Sequence, residues 1–223
     1  MTADSNRPAL APGLYFVSTP IGNARDITLR ALDILAAADV LAAEDTRSLR
    51  RLMEIHGVAL NNRRIVAYHD HNGDRTRPGL LRELKAGQSV AYASEAGTPL
   101  VSDPGYALGR AASEAGHMVT AAPGAAAPLA ALTVSGLASD CFVFAGFPPN
   151  GGSARKTFLT RFQGVPGTLI LFESPRRLGA LIAAATEVFG GKREAVICRE
   201  LTKKFEEIRR GTLQDLGHGL DDM

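Results

Sequence analysis

Ser89-Val-Ala-Tyr-Ala-Ser-Glu-Ala-Gly-Thr-Pro-Leu-Val-Ser-Asp-Pro-Gly105 decides the fold. The segment opens as an apolar strand, Ser89 to Ala93. About twelve residues of Gly, Pro and polar side chains follow, then a predicted helix from Gly105 to Ala115 stopped by Gly116, then a second apolar run from Met118 to Ala122. A strand, a helix and another strand in this order form a crossover unit, which joins parallel strands of one sheet. A loop of this length inside a compact domain is usually functional.

The same alternation extends upstream. Strands are expected at Leu14–Thr19, Val40–Ala43 and Ile65–Tyr68. Helices are expected from Ile27 to Ala38, from Arg47 to His56 and from Pro78 to Ala86. In the first helix Ile27, Ala31, Ile34 and Leu35 share one face, and Asp26 is its expected N-cap. Downstream, the pattern predicts a helix from Ala126 to Val134, strands at Phe142–Ala145 and Thr168–Phe172, and a helix from Pro175 to Phe189. Strands at Ala195–Cys198 and Glu206–Arg210 close the series. The expected fold is therefore two α/β domains, with a mostly parallel N-terminal sheet and a mixed C-terminal one. The expected division is a flexible tail over 1–12, a first domain over 13–138 and a second over 139–223. The boundary lies at Leu137–Asp140, and Pro148–Ser153 is the expected linker or lid.

The whole-chain properties are ordinary for a folded protein with a core: 223 residues, 45% hydrophobic, 22% charged, net charge +2. So small a net charge does not announce a nucleic-acid partner, and any RNA surface must be local. Cys141 and Cys198 sit in apolar runs and read as buried free thiols. No apolar stretch reaches the ~20 residues that span a bilayer, and Met1–Pro12 does not resemble a secretion signal, so a cytoplasmic location is expected.

Ligands of open parallel sheets bind beyond the carboxyl ends of the strands. Five such ends are rich in Gly, Pro or polar residues: Thr19–Asn23, Glu44–Arg47, His69–Asn72, Ser94–Gly105 and Pro123–Ala126. Pro20 and Gly22 let a backbone approach a ligand. Glu95 offers an acceptor, and the N–H groups near Gly97 and Thr98 offer donors. Glu44 and Asp45 could take up a proton, although one of them is expected to cap the following helix. Asp103 reads equally as a site residue and as the N-cap of its helix. His69 and His71 lack further ligands nearby, so no metal is expected. Arginines cluster at 47, 50 and 51, at 63 and 64, at 75 and 77, at 176 and 177, and at 209 and 210, with Lys203 and Lys204 alongside. Several follow strand ends, where they would suit a phosphate backbone.

Read together, these loops resemble one family. Thr19-Pro-Ile-Gly-Asn23 with Asp26–Leu32, Ala43-Glu-Asp-Thr-Arg47, Tyr68–Asn72, Ala96-Gly-Thr-Pro99 and Ser102-Asp-Pro-Gly-Tyr106 resemble the motifs of bacterial 16S ribosomal RNA cytidine-2'-O-methyltransferases, in the tetrapyrrole methylase superfamily. Phe172-Glu-Ser-Pro175, Arg199–Lys203 and Arg210-Gly-Thr-Leu213 resemble its C-terminal motifs, so the likeness runs from about Gly13 to Leu213. The resemblance implies S-adenosylmethionine as cofactor, held in an interdomain cleft, and a cytidine 2'-hydroxyl of 16S ribosomal RNA in the small subunit as substrate. It also implies a homodimer and no membrane partner. The implied cofactor contacts are Pro20, Gly22, Glu95, Gly97, Thr98, Gly124, Ala125, Ala126 and Ala127, joined by Phe172, Glu173 and Leu201. It names no proton acceptor, and Glu44 and Asp45 are the candidates. Three positions depart from the family pattern: Glu95 stands for an Asp, Leu100 for a small residue and Ala126 for a Ser. The family also continues past Arg210–Leu213 with more helix and a strand, so the second domain reads as truncated at Met223. Two alternatives remain open: a sister methyltransferase acting on a tetrapyrrole or a protein, and a non-catalytic RNA-binding relative.

Overall fold

The computed structural model describes residues 9–218, which divide into two compact units at Ala126/Ala127. The expected tail over 1–12 and the chain end fall largely outside the described residues.

The first unit contains strands β1 (Gly13–Val17), β2 (Val40–Ala43), β3 (Ile65–Ala67), β4 (Ser89–Ala93) and β5 (Val119–Ala122). Between them lie helices α1 (Leu29–Ala37), α2 (Thr46–Ile55), α3 (Gly73–Lys85) and α4 (Tyr106–Glu114). All five strands are parallel, in the order β3-β2-β4-β1-β5. From β1 to β3 the chain moves one way across this sheet; from β3 to β5 it moves back. Crossovers keep one hand, so the two directions put their helices on opposite faces. The core shows this directly. Tyr15 and Val17 of β1 pack with Ala31, Ile34 and Leu35 of α1 and with Leu49 and Met53 of α2. Leu14 and Phe16, on the other face of β1, pack with Leu80 and Leu84 of α3 and Leu108 and Ala112 of α4. Strands β1 and β4 are buried on both faces, as their uninterrupted apolar sequences require.

Three boundaries differ from expectation. Helix α1 starts at Leu29, and its N-cap is Thr28, whose hydroxyl accepts from Ala31 N at 3.1 Å. Asp26 instead ends a 3-10 turn, Ala24–Asp26, capped by Asn23. Helix α3 begins at Gly73, ahead of Pro78, because Asn72 folds back beforehand. Its Oδ1 accepts from His69 N and its Nδ2 donates to Ala67 O, both at 2.9 Å. Asp103 does not cap α4; Pro104 and Gly105 intervene, and Gly105 holds the cap position.

The second unit contains α5 (Ala127–Ser135), β6 (Phe142–Phe144), α6 (Gly152–Thr160), β7 (Thr168–Ile170), α7 (Pro175–Phe189), β8 (Glu194–Arg199), β9 (Glu207–Thr212) and α8 (Leu213–His218). Strands β6 and β7 are a parallel pair, and β8 and β9 an antiparallel pair, so both orientations occur as expected. The expected boundary at Leu137–Asp140 comes too late. Helix α5 belongs with the second unit, where Arg210 Nε of β9 donates to Ser135 O at 3.0 Å. Pro148–Ser153 is no linker between units. It joins β6 to α6 within the second, and two arginines hold its carbonyls: Arg177 Nη2 donates to Pro148 O and Arg155 Nη2 to Asn150 O. Helix α6 was not expected from the sequence. Cys141 is exposed, at the start of β6 rather than in a core, while Cys198 is half-buried.

Arg63 removes one expected basic residue from the surface. Its guanidinium donates to the carbonyls of Leu35, Ala38, Ala59 and Leu60 at 2.6–3.0 Å, closing the C-terminal end of α1. Charged donors on terminal helix carbonyls stabilise strongly. Arg63→Ala is expected to lower stability by about 2–3 kcal/mol, read by denaturant unfolding; a loss below about 0.5 kcal/mol, the scale of an ordinary surface change, would contradict this role.

Candidate active site at the carboxyl edge of the first sheet

Strands β1 and β4 are neighbours in register, Gly13↔Ser89 to Val17↔Ala93, but the chain leaves them toward opposite faces. A crevice must open where neighbouring crossovers part, and it is the usual ligand position in such sheets. Here its walls are tied together. Thr19 and Gly97 exchange backbone hydrogen bonds at 2.9 and 3.1 Å, an antiparallel bridge just beyond two parallel strands. Ser94 Oγ donates to Gly97 O at 3.0 Å, and Thr19 Oγ1 to Ser94 O at 3.3 Å. The turn after β5 joins them: Thr98 Oγ1 accepts from Ser18 Oγ at 3.2 Å and donates to Ala125 O at 2.9 Å. The turns bearing Pro20 and Gly22, Glu95 to Thr98, and Gly124 to Ala126 thus form one rim.

Two glycines make this convergence sterically allowed. Gly97 has φ +85°, and a Cβ there would sit 3.2 Å from Ile21 Cγ2 and 3.6 Å from Ala125 O. A Cβ on Gly124 would come within 2.8 Å of Ser18 Cβ. Leu100 and Ser102, later in the β4–α4 loop, adopt positive φ values of 71° and 62° although neither is glycine. Such strain persists where the surroundings impose it, and it gathers at functional sites.

The acids at this edge have different partners. Asp45 caps α2, accepting from Arg47 N at 2.7 Å and Ser48 N at 3.2 Å, and it pairs with the Arg47 guanidinium at 3.0 Å. These contacts hold its carboxyl down, to about 2. Glu44 Oε2 accepts from Glu95 N at 3.2 Å, which ties the β2 and β4 ends together. Asp103 behaves oppositely. Burial, helped by the charge of Glu44, pushes its carboxyl up to about 6, against a hydrogen bond from Ser94. The sequence left Asp103 open between a site residue and a helix cap, and the structure takes it off the cap.

Among the described residues no group of three or more His, Cys, Asp or Glu is placed to hold a metal ion. Nor is any helix among them long and apolar enough to cross a membrane.

Residues 13–217 match the family described as Tetrapyrrole (Corrin/Porphyrin) Methylases. The chain belongs to the tetrapyrrole methylases. Its likeness to individual members narrows this further. A Mesorhizobium japonicum protein named ribosomal RNA small subunit methyltransferase I is 55% identical over 218 residues, covering 97% of this chain and 73% of its own. A Vibrio cholerae protein of the same name is 44% identical over 216 residues, covering 97% and 74%. Within the tetrapyrrole methylases the chain therefore belongs to the family of these methyltransferases. A crystal structure of diphthine synthase shares the fold, with TM-score 0.69 at 18% identity, covering 92% of this chain and 84% of that one. Uroporphyrin-III-C-methyltransferase from Thermus thermophilus shares it too, with TM-score 0.63 at 21% identity, covering 95% and 89%.

The second unit of this tetrapyrrole methylase holds the other expected contacts. The ring of Phe172 packs against Phe144 and Phe147, with centroids 4.8 and 5.4 Å apart. Glu173 has a nearly buried side chain; it accepts from Ser174 N and pairs with Arg177 at 2.8 Å, opening α7. Leu201 lies half-buried in the turn after β8, and Ala127 is the first residue of α5.

Several arginines expected at an RNA surface are committed elsewhere. Arg77 pairs with Asp74, Arg209 with Glu207, and Arg177 with Glu173. Those of α2 are paired as well, Arg47 with Asp45 and Arg51 with Glu54, but their side chains stay exposed, at 91% and 75% accessibility.

The raised carboxyl of Asp103 has a measurable consequence. A carboxyl whose folded pKa exceeds its unfolded one favours folding at low pH. That contribution is lost as pH rises from about 4 through about 6. Asp103→Asn, which cannot ionise, should therefore match the parent in Tm near pH 4 and exceed it at pH 7.5. A difference independent of pH would remove the burial assigned to this carboxyl.

Proposed function

We propose that this protein transfers the methyl group of S-adenosylmethionine to a cytidine 2'-hydroxyl of the 16S RNA in the small ribosomal subunit. The carrying observation is the rim itself: three strand-end turns tied together at one edge of the sheet, in a chain whose relatives are named as small-subunit ribosomal RNA methyltransferases.

The chemistry of the rim suits that cofactor. A sulfonium with an amino-acid tail needs backbone donors for its carboxylate and acceptors or negative charge near its cationic part. The turns at Gly97 and Gly124 bring main chain close, and Glu44, Glu95 and Asp103 gather negative charge at the same edge. In this proposal Pro20, Gly22, Glu95, Gly97, Thr98 and Gly124–Ala126 hold the cofactor. Ala127, Phe172, Glu173 and Leu201 contribute on the resemblance alone. When bound, the cofactor supplies an electrophilic methyl group on a sulfonium.

The residues of the chain must then orient the hydroxyl and take its proton. Glu44 is retained for that task. Asp103 joins it, because a carboxyl near 6 is poised to exchange protons at neutral pH. Asp45 is the weaker of the two original candidates, since its oxygens already hold the start of α2. The exposed arginines of α2 give the RNA backbone a docking surface. Action in the cytoplasm, as a homodimer, is part of the same reading.

Purified small ribosomal subunits, assayed with methyl-labelled S-adenosylmethionine, should acquire label at one cytidine ribose. Label in a corrinoid precursor, with none in RNA, would overturn the proposal. Gly97→Ala places a side chain at a left-handed position, which costs roughly 1–2 kcal/mol. It should also weaken cofactor binding measured by calorimetry; unchanged affinity would displace the site. Replacing Arg47, Arg50 and Arg51 together by Ala should reduce RNA affinity and flatten its salt dependence while sparing cofactor affinity. An unaltered salt slope would remove α2 from the RNA surface.

A further inference from the structure

We propose that the cleft between α2 and the turns after β1 and β4 seats a single unstacked ribonucleotide of the RNA substrate. This rests on the methyl-transfer reading above and adds where the substrate sits.

The cleft has a volume of about 610 Å³ and lies wholly within the first unit. Its character is divided in a way that matches a nucleotide. On α2, Leu52 and Ile55 present apolar surface, and Ile55 is 51% exposed. A base face needs such a surface once it leaves its stack. Arg47 and Arg51 line the same cleft, exposed and paired with Asp45 and Glu54, and such solvent-exposed pairs can give way to a phosphate. On the opposite wall Glu95 offers carboxylate oxygens, which suit ribose hydroxyls.

The walls are fixed by hydrogen bonds on three sides. Asp45 caps α2 at one end. His56 Nε2 and Ala24 O lie 2.8 Å apart at the other end, joining α2 to the segment after β1. Glu44 holds Glu95 N. The cleft also shares Pro20, Gly22 and Glu95 with the proposed cofactor rim, so a sugar within it would lie beside the β1–β4 crevice. Sequence-specific recognition of RNA generally targets unstacked bases splayed onto a protein surface, and the apolar wall of α2 offers one here.

Amide spectra of the isotope-labelled protein, titrated separately with cytidine 5'-monophosphate and S-adenosylmethionine, test this. Cytidine monophosphate should shift Ser48, Leu52 and Glu95, and the cofactor should shift Gly97, Thr98 and Gly124. Ser48→Trp fills the cleft from α2. It should abolish the nucleotide shifts, preserve the cofactor shifts, and lower methylation of small subunits on the order of 100-fold, the scale of a misplaced reactant. Arg51→Glu, which leaves the volume unfilled, should weaken the nucleotide shifts alone. Nucleotide shifts centred on Gly97 and Gly124, or wild-type methylation by Ser48→Trp, would overturn the proposal. A parent protein that leaves subunits unmethylated counts against the methyl-transfer reading only, because the nucleotide map still decides the cleft.

Discussion

Strands β1 and β4 lie side by side in parallel register, and the segments that follow them depart to opposite faces of the sheet. No backbone partner is supplied there by the sheet itself, so the main-chain groups just past the strands need another arrangement. The Thr19–Gly97 bridge provides it. Two turns that the winding of the chain would separate are thereby held within hydrogen-bonding distance. Thr98 extends the tie to the turn after β5. The cofactor reading, the acidic edge and the nucleotide cleft all presuppose that this tie holds.

The arrangement also gives the acids distinct properties. Glu44 and Asp45 are adjacent in sequence but leave the end of β2 in different directions. Asp45 pairs with the Arg47 guanidinium and meets the first amides of α2, and both favour its charge. Glu44 reaches across to β4 and contributes to the field that disfavours charge on Asp103. One end of one sheet thus carries a carboxyl held near 2 and another near 6. Environments that push ionisable groups apart in this way are typical of sites that move protons.

Much of this was legible in the chain. The alternation around Ser89–Gly105 gave the parallel sheet, because apolar runs with polar turns between helices leave few other architectures. The concentration of Gly, Pro and polar residues at the strand ends gave the rim. Capping was harder to read. Thr28 and Asp26 are both good caps, and only the 3-10 turn at Ala24–Asp26 decides between them. Asp103 looked like a cap because of its distance from α4, whereas Pro104 and Gly105 take up that distance. Arg63 looked like surface charge, since nothing local reveals that the carbonyls closing α1 lie within its reach. Helix α6 follows a Pro- and Gly-rich stretch that suggested a linker; Arg155 of α6 itself and Arg177 of α7 bond the carbonyls of that stretch.

Hydrogen exchange of the backbone amides, with and without S-adenosylmethionine, tests the central claim most directly. The account predicts slowed exchange in three separate stretches at once: the turn around Pro20–Gly22, Glu95–Thr98, and Gly124–Ala126. Protection confined to one of them, or lying on the opposite edge of the sheet, would contradict it.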